Sequence, residues 1–388
     1  MKTDLFKFKL VAAVVFILLI ISGGLPLWHH RHFQIKVVLG PGVSQVQKLS
    51  DFFPAIKGSQ ADTNVYVLRG KEPGGQALIM GNTHSNEPEG LLSVLIMIEK
   101  AVVEKGTLYL IPFFNHSGSL NTRPGEGYPL YFSVPTSWGK KTIRMGNRDA
   151  SPLDQWPDPD VYIHYPEKQL LSNLDIRNTN RTWPGRKNGL PMEQVTYAAM
   201  ELLRQNKVDL AIDLHGAETM FPVTNCIVAP EKSIRLATLA SLTVKSMEGF
   251  ENHVEPSPVK FRGLSHREIG DYSETLPFLL EAPMPFLDQP TGPKTEALFL
   301  TGQDEFLLSL AKKKKLFVPY DQSGWPLEKR IGQHLSVSLE IIRQFSKKSP
   351  ERAIIIKNIP RYRQVLENGV GYYFHNPATL DQDKIIID

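Results

Sequence analysis

The sequence predicts an α/β fold: a mixed, mostly parallel sheet with helices on both faces, a hydrophobic N-terminal leader and a small β-rich C-terminal tail. Three observations point there. Short apolar runs alternate with helical stretches along most of the chain. Two of those runs end in a histidine. The chain has 388 residues, 41% of them apolar, enough for one large core.

The leader comes first. Lys2, Lys7 and Lys9 stand against Asp4, and Leu10 to Ile21 is unbroken apolar sequence. That run suits a signal-peptide core and falls short of the roughly 20 residues of a full span. Extended to Trp28, which suits an interfacial anchor, it approaches that length. Cleavage after Gly24 and retention as a membrane anchor both fit, and either one exports the body. The expected division is 1–28 as leader, 29–348 as catalytic domain and 349–388 as a small β-rich extension. His29, His30 and His32 follow the leader and are expected in solvent.

In the body, Ile35–Val38 and Asn64–Leu68 read as strands, and Gln76–Gly81 as the first strongly buried one. Pro88 suits the first turn of a helix. That helix is apolar on most sides (Leu91, Leu92, Val94, Leu95, Ile98) and is expected to run to about Glu104. Thr107–Phe114 is the next strand. From His116 to about Gly189 the chain is rich in proline, glycine, tryptophan and aspartate, and loops of that length are usually functional. An amphipathic helix, Met192–Gln205, precedes a strand ending at His215. Ile227–Val228 (strand), Ser233–Met247 (helix) and Thr275–Leu280 (strand ending at Glu281) follow. Helices near 294–313 and 327–345 lead to strand-like pieces at Ala353–Ile356, Tyr372–Phe374 and Ile385–Ile387.

Composition excludes several classes. A net charge of +4 is small for this length, so no nucleic-acid partner is implied. The runs Lys312–Lys315 and Lys347–Lys348 read as solvated helix ends. Cys226 is the single cysteine, which excludes an internal disulfide framework and reads as a core residue. Gly-x-Ser-x-Gly, Gly-x-x-x-x-Gly-Lys and Gly-x-Gly-x-x-Gly are absent.

The chemistry concentrates at two strand ends, Met80-Gly-Asn-Thr-His84-Ser-Asn-Glu87-Pro88 and Ala211-Ile-Asp213-Leu-His215-Gly216. Ligands collect beyond the carboxyl ends of strands in an open α/β sheet. His84, Glu87 and His215 there would offer one zinc ion three ligands and leave a fourth position for water, the catalytic pattern. Asp213 shares a strand face with His215 and could accept the second ring proton of a ligand histidine, or serve in a structural hydrogen bond. His164-Tyr-Pro-Glu167 repeats the His-x-x-Glu spacing, but no buried strand leads into it, so it reads as a loop coincidence.

This constellation resembles the zinc carboxypeptidase superfamily, and within it most closely the succinylglutamate desuccinylase/aspartoacylase branch. Asn178-Thr-Asn180-Arg181 resembles the family segment that holds a substrate carboxylate. Leu276-Pro-Phe-Leu-Leu-Glu281 resembles the strand whose terminal glutamate is the general base, with Glu274 as fallback. The resemblance covers roughly residues 60 to 315. It implies one Zn2+ per chain, Glu281 as base, Asn180 and Arg181 as carboxylate binders, and a small-molecule or peptide substrate with a free carboxylate. A guanidinium for the oxyanion is expected from Arg144 first, then Arg148 or Arg123. Amide cleavage of N-acyl amino acids, carboxypeptidase action on peptides of the cell wall or elsewhere, and a non-catalytic binding protein on the same fold remain the alternatives. The chain also departs from the family: carboxypeptidases cap the substrate with a tyrosine, and the nearest here is Tyr272.

Overall fold

The computed structural model describes residues 2–122 and 129–388, with side chains from residue 5 onward. In chain order its elements are α1 (Lys2–His32), β1 (Lys36–Val38), β2 (Gln45–Lys48), β3 (Asn64–Arg69), β4 (Glu72–Met80), α2 (Pro88–Lys100), β5 (Val102–Ile111) and α3 (His116–Ser119). A hairpin follows, β6 (Tyr131–Thr136) and β7 (Gly139–Arg144), then a short pair, β8 (Tyr162–Ile163) and β9 (Leu170–Leu171). The second half carries α4 (Pro191–Gln205), β10 (Leu210–Glu218), β11 (Cys226–Ala229), α5 (Glu231–Glu248), β12 (His253–Pro256), α6 (Ser265–Tyr272) and β13 (Leu276–Met284). It ends with α7 (Glu296–Thr301), α8 (Glu305–Lys312), α9 (Leu327–Lys348), β14 (Ile355–Lys357), α10 (Tyr362–Asn368) and β15 (Ile385–Ile387).

The main sheet has the order β12-β11-β13-β10-β4-β5-β3-β2, with β14 paired to the start of β5. β13, β10, β4 and β5 run parallel, while β11, β3 and β14 join antiparallel. Parallel strands are buried on both faces, which accounts for their near-continuous apolar composition. One face carries α2, α5 and α9, packed through residues such as Leu95, Ala240 and Ile341. The other carries α4, with Val195 and Leu202 against Leu78 and Tyr109.

Several expected boundaries shift. The helix from Pro88 stops at Lys100 rather than near Glu104, because Val102 already begins β5. The 294–313 helix divides into α7 and α8 at Gly302, whose φ of 62° leaves the helical region. The tail is less strand-rich than expected. Tyr372–Phe374 is not a strand; Val370–Tyr373 forms a tight helical turn, and Tyr362–Asn368 is a helix. Both tail strands pair outside the tail, β14 with β5 and β15 with β1. His30 does not sit in solvent: its ring is buried, with Nε2 2.6 Å from the Met145 carbonyl.

Beneath α2 lies a buried charge pair. Arg330 Nη1 approaches Glu89 Oε2 at 3.3 Å, and neither side chain is exposed. Burial pushes the Glu89 carboxyl up to about 7 even against the attraction of Arg330. Arg330→Ala leaves the Glu89 carboxyl buried without its partner, forced to take up a proton, and empties the space of a fully buried side chain; it is expected to remove about 3–5 kcal/mol of unfolding free energy. A urea titration checks this, and a loss below about 1 kcal/mol would make the pair dispensable.

Candidate active site

Parallel strands ending together bring the chemistry to one edge. His215 on β10 lies directly beside Glu281 on β13, and Asp213 lies beside Met80, the last residue of β4. His84 comes in the turn out of β4, and Glu87 stands at the N-cap position of α2. Side chains 130 positions apart in sequence therefore share one rim. One ligand atom from each of His84, Glu87 and His215 lies within 4.8 Å of the others, and all three residues are buried.

Glu87 lies between the two rings. Its Oε1 is 2.7 Å from His84 Nδ1 and its Oε2 is 2.9 Å from His215 Nδ1. The same Oε2 accepts the Gly216 amide at 3.1 Å. Both far ring nitrogens are backed: His84 Nε2 by Asn178 Oδ1 at 3.0 Å, and His215 Nε2 by Asp213 Oδ2 at 3.1 Å. The second contact is one of charge, without a hydrogen bond. Asp213 is itself held by the hydroxyls of Thr83 and Ser265, each at 2.6 Å. Each Nδ1 thus faces Glu87 with a polar group behind the ring, the support that metal-ligating histidines need.

Burial and charge set the protonation states. Burial drives His84 down to about 4, so its ring is neutral at physiological pH. Burial also opposes charge on His215, but Asp213 and Glu87 together outweigh it and hold its pKa well above the usual imidazole value. Burial would raise Glu87, yet the two imidazoles hold it well below the carboxylate range. Glu281 goes the other way. Burial raises it well above its ordinary value despite His215, with Glu87, Glu218 and Asp213 adding repulsion.

Two imidazoles and one carboxylate, converging with their far nitrogens backed, form a donor set that suits zinc. A buried Glu281 Oε2 with no partner among the described residues stands beside them. The residues present fit the metal.

The cleft above holds about 660 Å3 and is lined by His84, Glu87, Glu281, Asn180, Arg181 and Arg148 among others. Arg181 stacks its guanidinium over Phe261 at 4.7 Å and stays 3.9 Å from Asp175. Arg148 Nη2 lies 2.9 Å from Asp288 and 3.9 Å from Glu87.

Arg144 does not join this group. Its guanidinium is buried against main-chain carbonyls, with Nε on Ser119 at 2.5 Å and Nη1 on Phe33 at 2.6 Å. The β7 hairpin carries it toward the end of α1, so Arg148, four residues on, is the one at the cleft. Arg123 lies outside the described residues. Glu274 precedes β13 and lines a different cavity, with Lys207 and Arg352. Tyr272 points its hydroxyl at Glu167. His164 is buried with Nε2 2.5 Å from the Trp183 carbonyl, and Glu167 lies 3.3 Å from Arg262. That His-x-x-Glu pair belongs to a separate ionic knot.

Two residues were missed by reasoning from sequence. Asn178, which backs His84, has a signal only in its place within the Asn178–Arg181 segment. His266 lines the cleft with Nδ1 2.8 Å from Ser257 Oγ, and nothing in its local sequence announces it.

No family model matches the chain, and no curated protein matches it. Solved structures do. A succinylglutamate desuccinylase from Silicibacter is 16% identical, over 57% of this chain and 53% of that one, with a TM-score of 0.34. A metallo-carboxypeptidase from Burkholderia cenocepacia is 12% identical, over 77% and 69%, at 0.45. A tripeptide-bound cell-shape determinant from Helicobacter pylori is 11% identical, over 79% and 60%, at 0.44. The chain spans about half the length of the desuccinylase structure. At TM-scores below 0.5 these likenesses place no residue of the site, whose reading comes from the side chains above.

The geometry generates two expected outcomes. A Cβ on Gly216 would stand 1.8 Å from Glu89 Oε1, so Gly216→Ala must push the buried Glu89 carboxylate aside from its place between Arg330 and the β10 rim. It is expected to lower zinc affinity by at least about tenfold, as losing ligand support does. Parent-like affinity would show that the rim tolerates the shift. A zinc ion taken up here would have to displace the proton that Asp213 and Glu87 favour on His215, so its apparent affinity should rise as pH rises from about 6 to 8. A chelator competition measures it, and a flat profile would place the proton elsewhere.

Proposed function

We propose that this protein is a zinc-dependent hydrolase that cleaves an amide bond in a substrate carrying a free carboxylate. The convergence of His84, Glu87 and His215 on one point beneath a cleft carries the reading. Zinc held there supplies a Lewis acid for the scissile carbonyl and lowers the pKa of water toward 7.

The chain's own residues do the rest. Glu281 is the general base: its burial-raised proton affinity suits a group that takes a proton and returns it to the departing amine. Arg181 and Asn180 bind the substrate carboxylate, with the guanidinium fork braced by Phe261. Arg148, poised between Glu87 and Asp288, takes the oxyanion position first expected of Arg144. His266 offers the cleft a neutral imidazole, burial having driven it down to about 3.

N-acyl amino acids are the first substrate class. The wall formed by Phe221, Val223, Val228 and Leu279 favours a second, peptides with a free C-terminus, because it gives an apolar side chain room beside the charged groups. A non-catalytic binding protein has no need of a base placed as Glu281 is.

The leader is proposed to remain as a membrane anchor, with the body on the extracytoplasmic side. Residues Leu5–His32 form one continuous apolar helix, exposed along its length up to its last turn. That last turn is tied to the body by the His30 ring and by the Arg144 guanidinium on the His30 carbonyl.

A panel of N-acyl amino acids and C-terminally free peptides tests the function. Glu281→Gln should lower kcat on the best substrate by about 10²–10⁴-fold, the usual contribution of a general base. Equal activity would remove Glu281 from that role. His164→Ala should leave zinc content unchanged, and loss of the metal there would mean the other His-x-x-Glu pair binds it.

A further inference from the structure

We infer that the loop following Arg148 is a second membrane contact, resting Leu153 and Trp156 in the interfacial layer of the bilayer that α1 enters. The inference rests on the anchor reading above and extends it from the helix to the folded body.

Leu153 and Trp156 are the most exposed large apolar side chains of the described body, at 78% and 75%. Isolated exposed apolar residues are ordinary, but two at such exposure on one loop ask for a partner. Their position supplies it. Between them lies Asp154, whose Oδ1 is 2.6 Å from Arg31 Nη2 at the end of α1. Ser117 Oγ grips the other oxygen of Asp154 at 2.6 Å, so the loop is fixed to the body on the same residue that holds the helix.

The helix end is equally fixed. Arg144 Nη1 donates to the carbonyls of Phe33 at 2.6 Å and His30 at 3.3 Å, closing backbone acceptors that the last turn would leave open. The rings of His30 and Phe33 lie 5.7 and 5.1 Å from that of Tyr131. Body and helix therefore meet at a braced joint.

Trp28 suits the headgroup level, as tryptophan does at membrane boundaries. Arg31 stands three residues further, a rise of about 4.5 Å at 1.5 Å per residue. An ion pair at that height brings Asp154 to the membrane surface, with Leu153 and Trp156 flanking it. A tryptophan and a leucine beside a basic residue are what an interfacial segment presents to lipid. Arg177, 6.0 Å from the Trp156 ring and itself paired with Asp158 at 2.6 Å, braces that ring in place.

The test uses the full chain in vesicles of phosphatidylcholine and phosphatidylglycerol. Cys226, the native cysteine, is buried, so Leu153→Cys takes an environment-sensitive fluorophore selectively. Met247→Cys is the reference. It is 62% exposed on α5, which packs on α9, β11 and β12. Shallow-brominated lipid should quench the Leu153 label at least twofold more than the Met247 label, with a blue-shifted emission. If the protein floats with the vesicles while both labels stay equally water-like, the loop contact is wrong and the anchor stands. A blue shift without quenching would mean a protein partner and would also overturn the inference. A chain that fails to float removes the anchor reading and this one together.

Discussion

A carboxylate buried between two imidazoles is the constraint on which the rest of this structure depends. Glu87 holds its negative charge in a site from which water is largely excluded, and a lone charge there would cost several kcal/mol. Its two oxygens reach His84 and His215, and only one of those rings is favoured in the protonated form. One ligand atom from each of the three residues lies within 4.8 Å of the others, a donor set of the kind that suits a divalent cation. A proton on His215 compensates the Glu87 charge here, and under the proposed function a metal would take over the same task.

The fold brings that cluster together. Parallel pairing of β4, β10 and β13 puts three chain-distant residues at the same edge. The supporting shell is as ordered as the donors: Asp213 is fixed by Thr83 and Ser265, and Asn178 by the Asn180 amide at 2.8 Å. The Glu89 carboxylate, held by Arg330, then fills the space beside Gly216, which is why a side chain there meets it first. The α6 segment contributes twice, through Ser265 to Asp213 and through His266 to the cleft.

Much of this was legible in the sequence, for identifiable reasons. Long apolar runs such as Gln76–Met80 and Leu210–Leu214 mark buried parallel strands, and the residues just past their ends land at the rim by topology alone. The grouping of His84, Glu87 and His215 needed nothing beyond that. Short edge strands such as β2 and β12 were not readable, because four residues carry too little periodicity. The tail misled for a related reason: Tyr372 and Tyr373 favour strands intrinsically, but Val370 and Tyr373 pack into the core in a helical turn that leaves Tyr372 exposed. Arg144 and Arg148 lie in one segment and differ only in where β7 ends, which local pattern does not reveal. The first serves the leader and the second the cleft. His266 was invisible because a lone histidine in a short helix has no signature until the fold aims it.

The central claim is that one zinc ion sits among these three residues. X-ray absorption at the zinc edge, with anomalous diffraction from crystals, tests it most directly. The account predicts one equivalent of zinc, two imidazole nitrogens and a carboxylate at about 2.0–2.2 Å, and an anomalous peak between residues 84, 87 and 215. A peak elsewhere, or a metal shell without two imidazoles, would contradict it.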